Sequence, residues 1–123
     1  MQVSLITCTN NSEKTIQKCC QSVYSQTYNN IEHIIVDKNS QDKTISIIKQ
    51  YKLKNIKIYN QKGFGIYNAL NKGMKLCNGK IIGILHSDDE FIHQEIIRAI
   101  IPFTIFWNII ITIKSQSIIS GYV

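Results

Sequence analysis

His86-Ser87-Asp88-Asp89 is the stretch best equipped for chemistry. Adjacent carboxylates repel each other, and ionised side chains resist burial unless paired or bound to a cation. The stretch follows an apolar run, Ile81-Ile82-Gly83-Ile84-Leu85, that reads as a buried strand. At a strand's C-terminal end, such a pair can hold a divalent cation or a ribose at the mouth of a parallel sheet. The alternative is an acidic turn that merely closes the strand. Asp37 stands in the same relation to Ile34-Ile35-Val36 and precedes a polar turn, Lys38-Asn39-Ser40-Gln41-Asp42. It can bind a ligand hydroxyl, or make an Asx-turn and open the next helix. Thr7 ends a third apolar run that starts at Val3.

These residues need elements to bring them together. Asn10-Asn11-Ser12 supplies turn and cap chemistry. Ile16, Cys19, Cys20 and Val23 then recur at helical spacing, which predicts a helix from Glu13 to about Tyr24. A second helix is expected to run to Tyr51 with Ile45 and Ile48 inward, and Ile56 and Ile58 mark a third strand. Gly63-Phe64-Gly65 opens a loop before a helix carrying Ile66, Leu70, Gly73, Met74 and Cys77, which Asn78-Gly79 closes. Apolar strands alternating with amphipathic helices predict an α/β fold: a Rossmann-like, open, mostly parallel sheet with helices on both faces. Its polar residues collect at the strand C-terminal ends, the edge where such sheets bind ligands.

The bulk numbers set bounds. The 123 residues suffice for one small domain with a real core. The 44% hydrophobic and 18% charged residues fit a globular chain rather than a disordered one. A formal charge of +6 suggests a nucleic-acid partner, but the lysines are scattered and form no basic stripe with interleaved aromatics. No nucleic acid is expected; a small anion such as a diphosphate suits the charge equally well. Cys8, Cys19, Cys20 and Cys77 form no Cys-x-x-Cys, so zinc is not indicated, and reduced buried thiols suit a cytoplasmic setting. Met1-Gln2 runs directly into a strand without a basic leader.

Taken together, the phrases resemble the N-terminal part of a family-2 glycosyltransferase with the GT-A-type nucleotide-sugar fold. The family's opening strand and its Ser-Val-x-x-Gln-Thr-Tyr phrase match Val3-Ser4-Leu5-Ile6-Thr7, Asn10 and Ser22-Val23-Tyr24-Ser25-Gln26-Thr27-Tyr28. Its second strand, with Asp and a Ser-x-Asp-x-Thr turn, matches Asp37 to Thr44. Its Gly-Ile-Tyr-Asp-Ala-x-Asn-Lys-Gly helix matches Gly65 to Gly73, and its Leu-x-Ser-Asp-Asp strand end matches Leu85 to Asp89. Four phrases in the right order are far more specific than one. The resemblance covers residues 2–95 and implies a nucleotide-diphosphate-sugar donor, a UDP-sugar first. Thr7 and Asp37 would line the base and ribose pocket. Asp88 would approach the ribose or the metal, and Asp89 would coordinate Mn²⁺ or Mg²⁺. The sugar would pass, with inversion, to a saccharide, lipid or protein acceptor.

Departures from the pattern qualify that expectation. Lys38 and Asn39 stand where the family has small or acidic residues, and Asn68 replaces an Asp. Residues 1–98 read as the nucleotide-sugar-binding domain. Residues 99–123 read as an apolar tail, a divergent or truncated remainder of that domain, with Lys114 its one charge. Ala99 to Ile113 is short for a membrane span, which needs roughly 20 residues. An interfacial segment in peripheral contact with a membrane, a buried strand pair and an out-of-frame or cut-short tail all stay open. The location expected is the cytoplasm, including the inner face of the membrane. No Asp or Glu follows Glu95, so the carboxylate that takes the acceptor's proton is unassigned. A truncated, non-catalytic remnant that at most binds nucleotide is the second reading. On either, four strands alone would leave an apolar sheet edge open.

Overall fold

A computed structural model describes all residues except 52–54, 63–64, 105–108, 115–116 and 123, with side chains described as far as Pro102. The predicted loop residues Gly63 and Phe64 lie outside that set. The chain order is β1 (Val3–Thr9), α1 (Ile16–Tyr24), β2 (Ile31–Asp37), α2 (Thr44–Ile48), β3 (Ile56–Asn60), α3 (Ile66–Leu76), β4 (Ile81–Leu85), α4 (Ile96–Thr104), β5 (Ile109–Lys114) and β6 (Ser117–Tyr122). A 3₁₀ turn, Lys49–Tyr51, extends α2.

The strands form one six-stranded sheet in the order β3-β2-β1-β4-β5-β6. All neighbours from β3 to β5 run parallel, and β6 returns antiparallel to β5. The doubly wound α/β fold expected from the alternation is therefore present. Of the alternatives left open for the apolar tail, a strand pair is what forms, and β4 is no open edge, because residues Ile110–Ile113 pair with Ile82–Leu85. Unpaired strand backbone is costly, and isoleucine-rich segments suit a covered sheet, which explains why this stretch continues the sheet.

The pleat sorts side chains between two cores. Val3, Leu5 and Ile35 point to one face and pack with Ile16, Cys19 and Ile48, and with Ile97 of α4. Ile34 and Val36 point to the other face, against Ala69 of α3. Gly73 lets α3 lie close: a Cβ there would stand 2.6 Å from Ile6 Cγ2. Gly79 works differently from the predicted helix stop. Only Gly65 among the described glycines has a positive φ. A Cβ on Gly79 would sit 2.7 Å from both Gln2 O and Ser4 N, so its task is close approach to β1.

α1 begins later than Glu13. The Ser12 carbonyl accepts from both Thr15 N and Ile16 N, making a tight turn before the helix. The amides of Asn11 and Glu13 instead reach across to the β2–α2 loop, and that of Ser12 to Thr44 at the start of α2. Among the described residues, no helix is long and apolar enough to cross a membrane.

Candidate functional site

The strand order reverses direction between β1 and β4. At such a switch point the loops leave in opposite directions and open a crevice beyond the strand C-terminal ends. The crevice here is a cleft of about 730 Å³ whose walls include Cys8, Asn11, Glu13, Asp42, His86 and Asp88. Three loops build it. The loop after β1 is stitched to the loop after β2: Asn11 N donates to Ser40 Oγ (2.9 Å), and Gln41 N donates to Asn11 Oδ1 (2.8 Å). Glu13 N donates to Asp42 Oδ2 (3.1 Å), and Lys43 N returns the bond to Glu13 Oε2 (3.2 Å). Asn11 and Asn39, at φ 50 and 47, make the tight bends, conformations that asparagine tolerates better than most residues. Across the switch point, Ser12 Oγ donates to Ser87 Oγ (3.2 Å) and ties the β1 loop to the acidic turn. Asp89 N donates to His86 O (3.0 Å) and closes that turn.

Of the four residues singled out from the sequence, Asp37, Asp88 and Asp89 stand at this end of the sheet, whereas Thr7 lies within β1, two residues before its end. Asp88 lines the cleft. Asp89 follows it within the same turn. Asp37 ends β2 and is nearly buried, at 4% exposure. Its Oδ1 accepts from Thr9 Oγ1 and Ser40 Oγ, both at 2.6 Å, and its Oδ2 accepts from Ser40 N at 2.8 Å. Three of a carboxylate's roughly four acceptor positions are thus used in shaping the loop. Thr7 is fully buried, with Oγ1 2.8 Å from His33 Nε2. Strand alternation turns Thr7 toward α1 and presents its neighbour Cys8 to the cleft.

Sequence reading left His33 without a role and passed over Glu32; Ser12 and Asp42 entered as turn residues and Gln26 as part of a family phrase. Burial pushes the His33 imidazole down to about 4, so the ring is neutral in neutral solution. Burial also raises the Cys19 thiol, helped by Cys20, Asp89 and Asp88 against the Thr7 hydrogen bond. Among the described residues, no three His, Cys, Asp or Glu side chains gather as a metal cage. Lys72 donates to Asn60 O (2.9 Å) at the end of β3.

Comparison with known proteins gives this arrangement its context. The family model described as glycosyl transferase family 2 matches residues 4–105. An Escherichia coli protein, the UDP-Glc:alpha-D-GlcNAc-diphosphoundecaprenol beta-1,3-glucosyltransferase WfaP, is 39% identical over 95 residues, covering 76% of this chain and 38% of its own. A Methanococcus voltae dolichyl N-acetyl-alpha-D-glucosaminyl phosphate 3-beta-D-2,3-diacetamido-2,3-dideoxy-beta-D-glucuronosyltransferase is 43% identical over 105 residues, covering 76% of this chain and 32% of its own. The structure of S. aureus TarS 1-349 in complex with UDP-GlcNAc superposes with a TM-score of 0.77 at 28% identity, over 89% of this chain and 32% of that one. The chain spans between about an eighth and two fifths of the length of the curated relatives it matches. With the family match running from β1 into α4, across every loop of the cleft, the chain belongs to glycosyl transferase family 2.

Proposed function

We propose that the cleft binds a nucleotide-diphosphate sugar, a UDP-sugar first, for transfer of the sugar with inversion to an acceptor hydroxyl. The observation that carries this reading is the Ser12–Ser87 hydrogen bond across the switch point, which joins the β1 loop and the acidic turn in one cleft. UDP-GlcNAc and UDP complexes of the structurally similar TarS support the choice of donor. Asp37, held by Thr9 and Ser40, offers its remaining acceptor position to a base N–H or ribose hydroxyl. Cys8 and Asp42 contribute to the wall.

Asp88 and Asp89 fit a divalent cation by donor type. Mg²⁺ or Mn²⁺ accepts one or two carboxylates and completes its shell with substrate phosphates and water, so no third protein ligand is required. Such an ion, when bound, offsets the charge that grows on the departing nucleoside diphosphate. The chain's own part is positional. Hydrogen bonds on both sides of the cleft hold the loops before substrate arrives, which lowers the cost of ordering them on binding.

Calorimetric titration of the chain with UDP, in Mn²⁺ and in EDTA, tests the site. Mn²⁺ is expected to strengthen binding, and Asp89→Ala to remove that gain. Equal Mn²⁺ gains in the Asp89→Ala variant and the unaltered chain would reject the assignment.

A further inference from the structure

The Ser22-to-Thr27 phrase at the end of α1 stands outside the cleft, yet its polar side chains converge on the segment after the acidic pair. Ser22 Oγ accepts from Phe91 N (3.0 Å) while donating to Cys19 O (2.8 Å). Gln26 is 4% exposed and has its whole amide engaged. Its Nε2 donates to His93 O (2.8 Å) and to Ser22 O (3.2 Å), and its Oε1 accepts from Ile97 N (3.1 Å). Thr27 N donates to Gln94 O (2.9 Å), and Arg98 Nη2 donates back to Thr27 O (2.9 Å).

A glutamine among Val23, Phe91 and Ile97 is a costly choice for filling space, because every amide atom must find a partner. What the amide adds over leucine is direction. It dictates where the backbone at His93 and Ile97 can lie. We propose that Ser22 and Gln26 are positioning residues for Asp88 and Asp89. They hold the chain just downstream of the pair, as the Ser12–Ser87 bond holds it just upstream. This inference rests on the reading of the pair as the cation-diphosphate pole of the donor site. Clamped at both flanks, the two carboxylates present a preset donor pair to the cation. Loosening one flank lets the pair drift, and cation affinity falls although neither carboxylate is altered.

The test is calorimetry on the 123-residue chain with UDP as probe, in Mn²⁺ and in EDTA. Ser22→Ala is expected to weaken the Mn²⁺-dependent binding about tenfold and leave binding in EDTA within about twofold, in the manner of an outer-shell partner. Ser22→Thr, which keeps the hydroxyl, is expected to regain the loss. Gln26→Leu is expected to act in the same sense more strongly; if it does not fold, the Ser22 pair decides alone. Equal weakening with and without Mn²⁺ would reduce the clamp to general packing and overturn the proposal. So would an intact Mn²⁺ gain in Ser22→Ala alongside its loss in Asp89→Ala, and that result leaves the site reading standing. A Mn²⁺ gain that is absent from the unaltered chain, or that survives Asp89→Ala, sinks the site reading and this inference with it.

Discussion

β2 carries a carboxylate near each end, and the two lead different lives. Glu32, at the N-terminal end, is fully buried. It accepts from Ser4 Oγ, Asn78 N, Asn78 Nδ2 (3.3 Å), Gly79 N (3.3 Å) and Lys57 Nζ (3.2 Å). Burial pushes its carboxyl up, but the donors, Ser4 and Asn78 foremost, outweigh this and hold it at about 2. Asp37, at the C-terminal end, is also nearly buried and uses three acceptor positions on Thr9 and Ser40, which shape the loops whose Asn11 and Asp42 line the cleft. Glu32 joins β1, β2, β3 and the α3–β4 turn into one closed end. Asp37 belongs to an end that loops hold apart. A carboxylate surrounded by donors from two neighbouring strands and a turn serves the fold; one whose bonds shape cleft-lining loops serves the site. Helix starts and strand C-terminal ends gather at that second edge, where backbone dipoles favour bound anions.

The comparison can be broken by substitution. Glu32→Gln turns an amide donor toward other donors and strands buried N–H groups, so unfolding free energy is expected to fall by about 3 kcal/mol. Urea unfolding measures it, and UDP affinity of the folded protein should stay unchanged. A large affinity loss would mean the two ends are not separate. Gly79→Ala drives a Cβ onto the backbone at Gln2 and Ser4, which cannot yield, and is expected to cost about 2 kcal/mol. Gly73→Ala meets only the Ile6 side chain and should cost less.

Acid should dismantle the closed end and the core in two stages. His33 is lowered from 6.5 to about 4, so its neutral ring contributes stability above pH 6.5 that is lost as pH falls through 4. Glu32 is lowered from 4.5 to about 2, so its contribution is present above pH 4.5 and lost as pH falls through 2. Urea midpoints at about pH 7, 4 and 2 should therefore decline in sequence, and His33→Gln should flatten chiefly the first step. The smallest effect on stability belongs to Asp88→Asn at the cleft, expected within about 0.5 kcal/mol. That variant should nevertheless weaken Mn²⁺-dependent UDP binding, the reverse of Glu32→Gln.

Residue order made much of this legible. Apolar runs ending in Asp37 and in the 86–89 turn announced parallel strands whose C-terminal ends carry polar groups, and the structure has that sheet. Glu32 and His33 were not legible as strand residues, because a charge and an imidazole break an apolar run. Only the donors that surround Glu32 and the Thr7 hydroxyl facing His33 explain their burial. Gly79 read as a helix stop, since its true constraint is the backbone of β1, far away in sequence.

By itself the sequence determined the alternation of strands and helices, the acidic ends of two strands and the family phrases, because periodicity and spacing are local properties. Tertiary structure alone decided which neighbour of a strand pair faces the cleft, Cys8 rather than Thr7, and that Gln26 bonds the chain at His93 and Ile97. Sheet parity and long-range hydrogen bonds depend on how distant segments pack, and no local pattern encodes them.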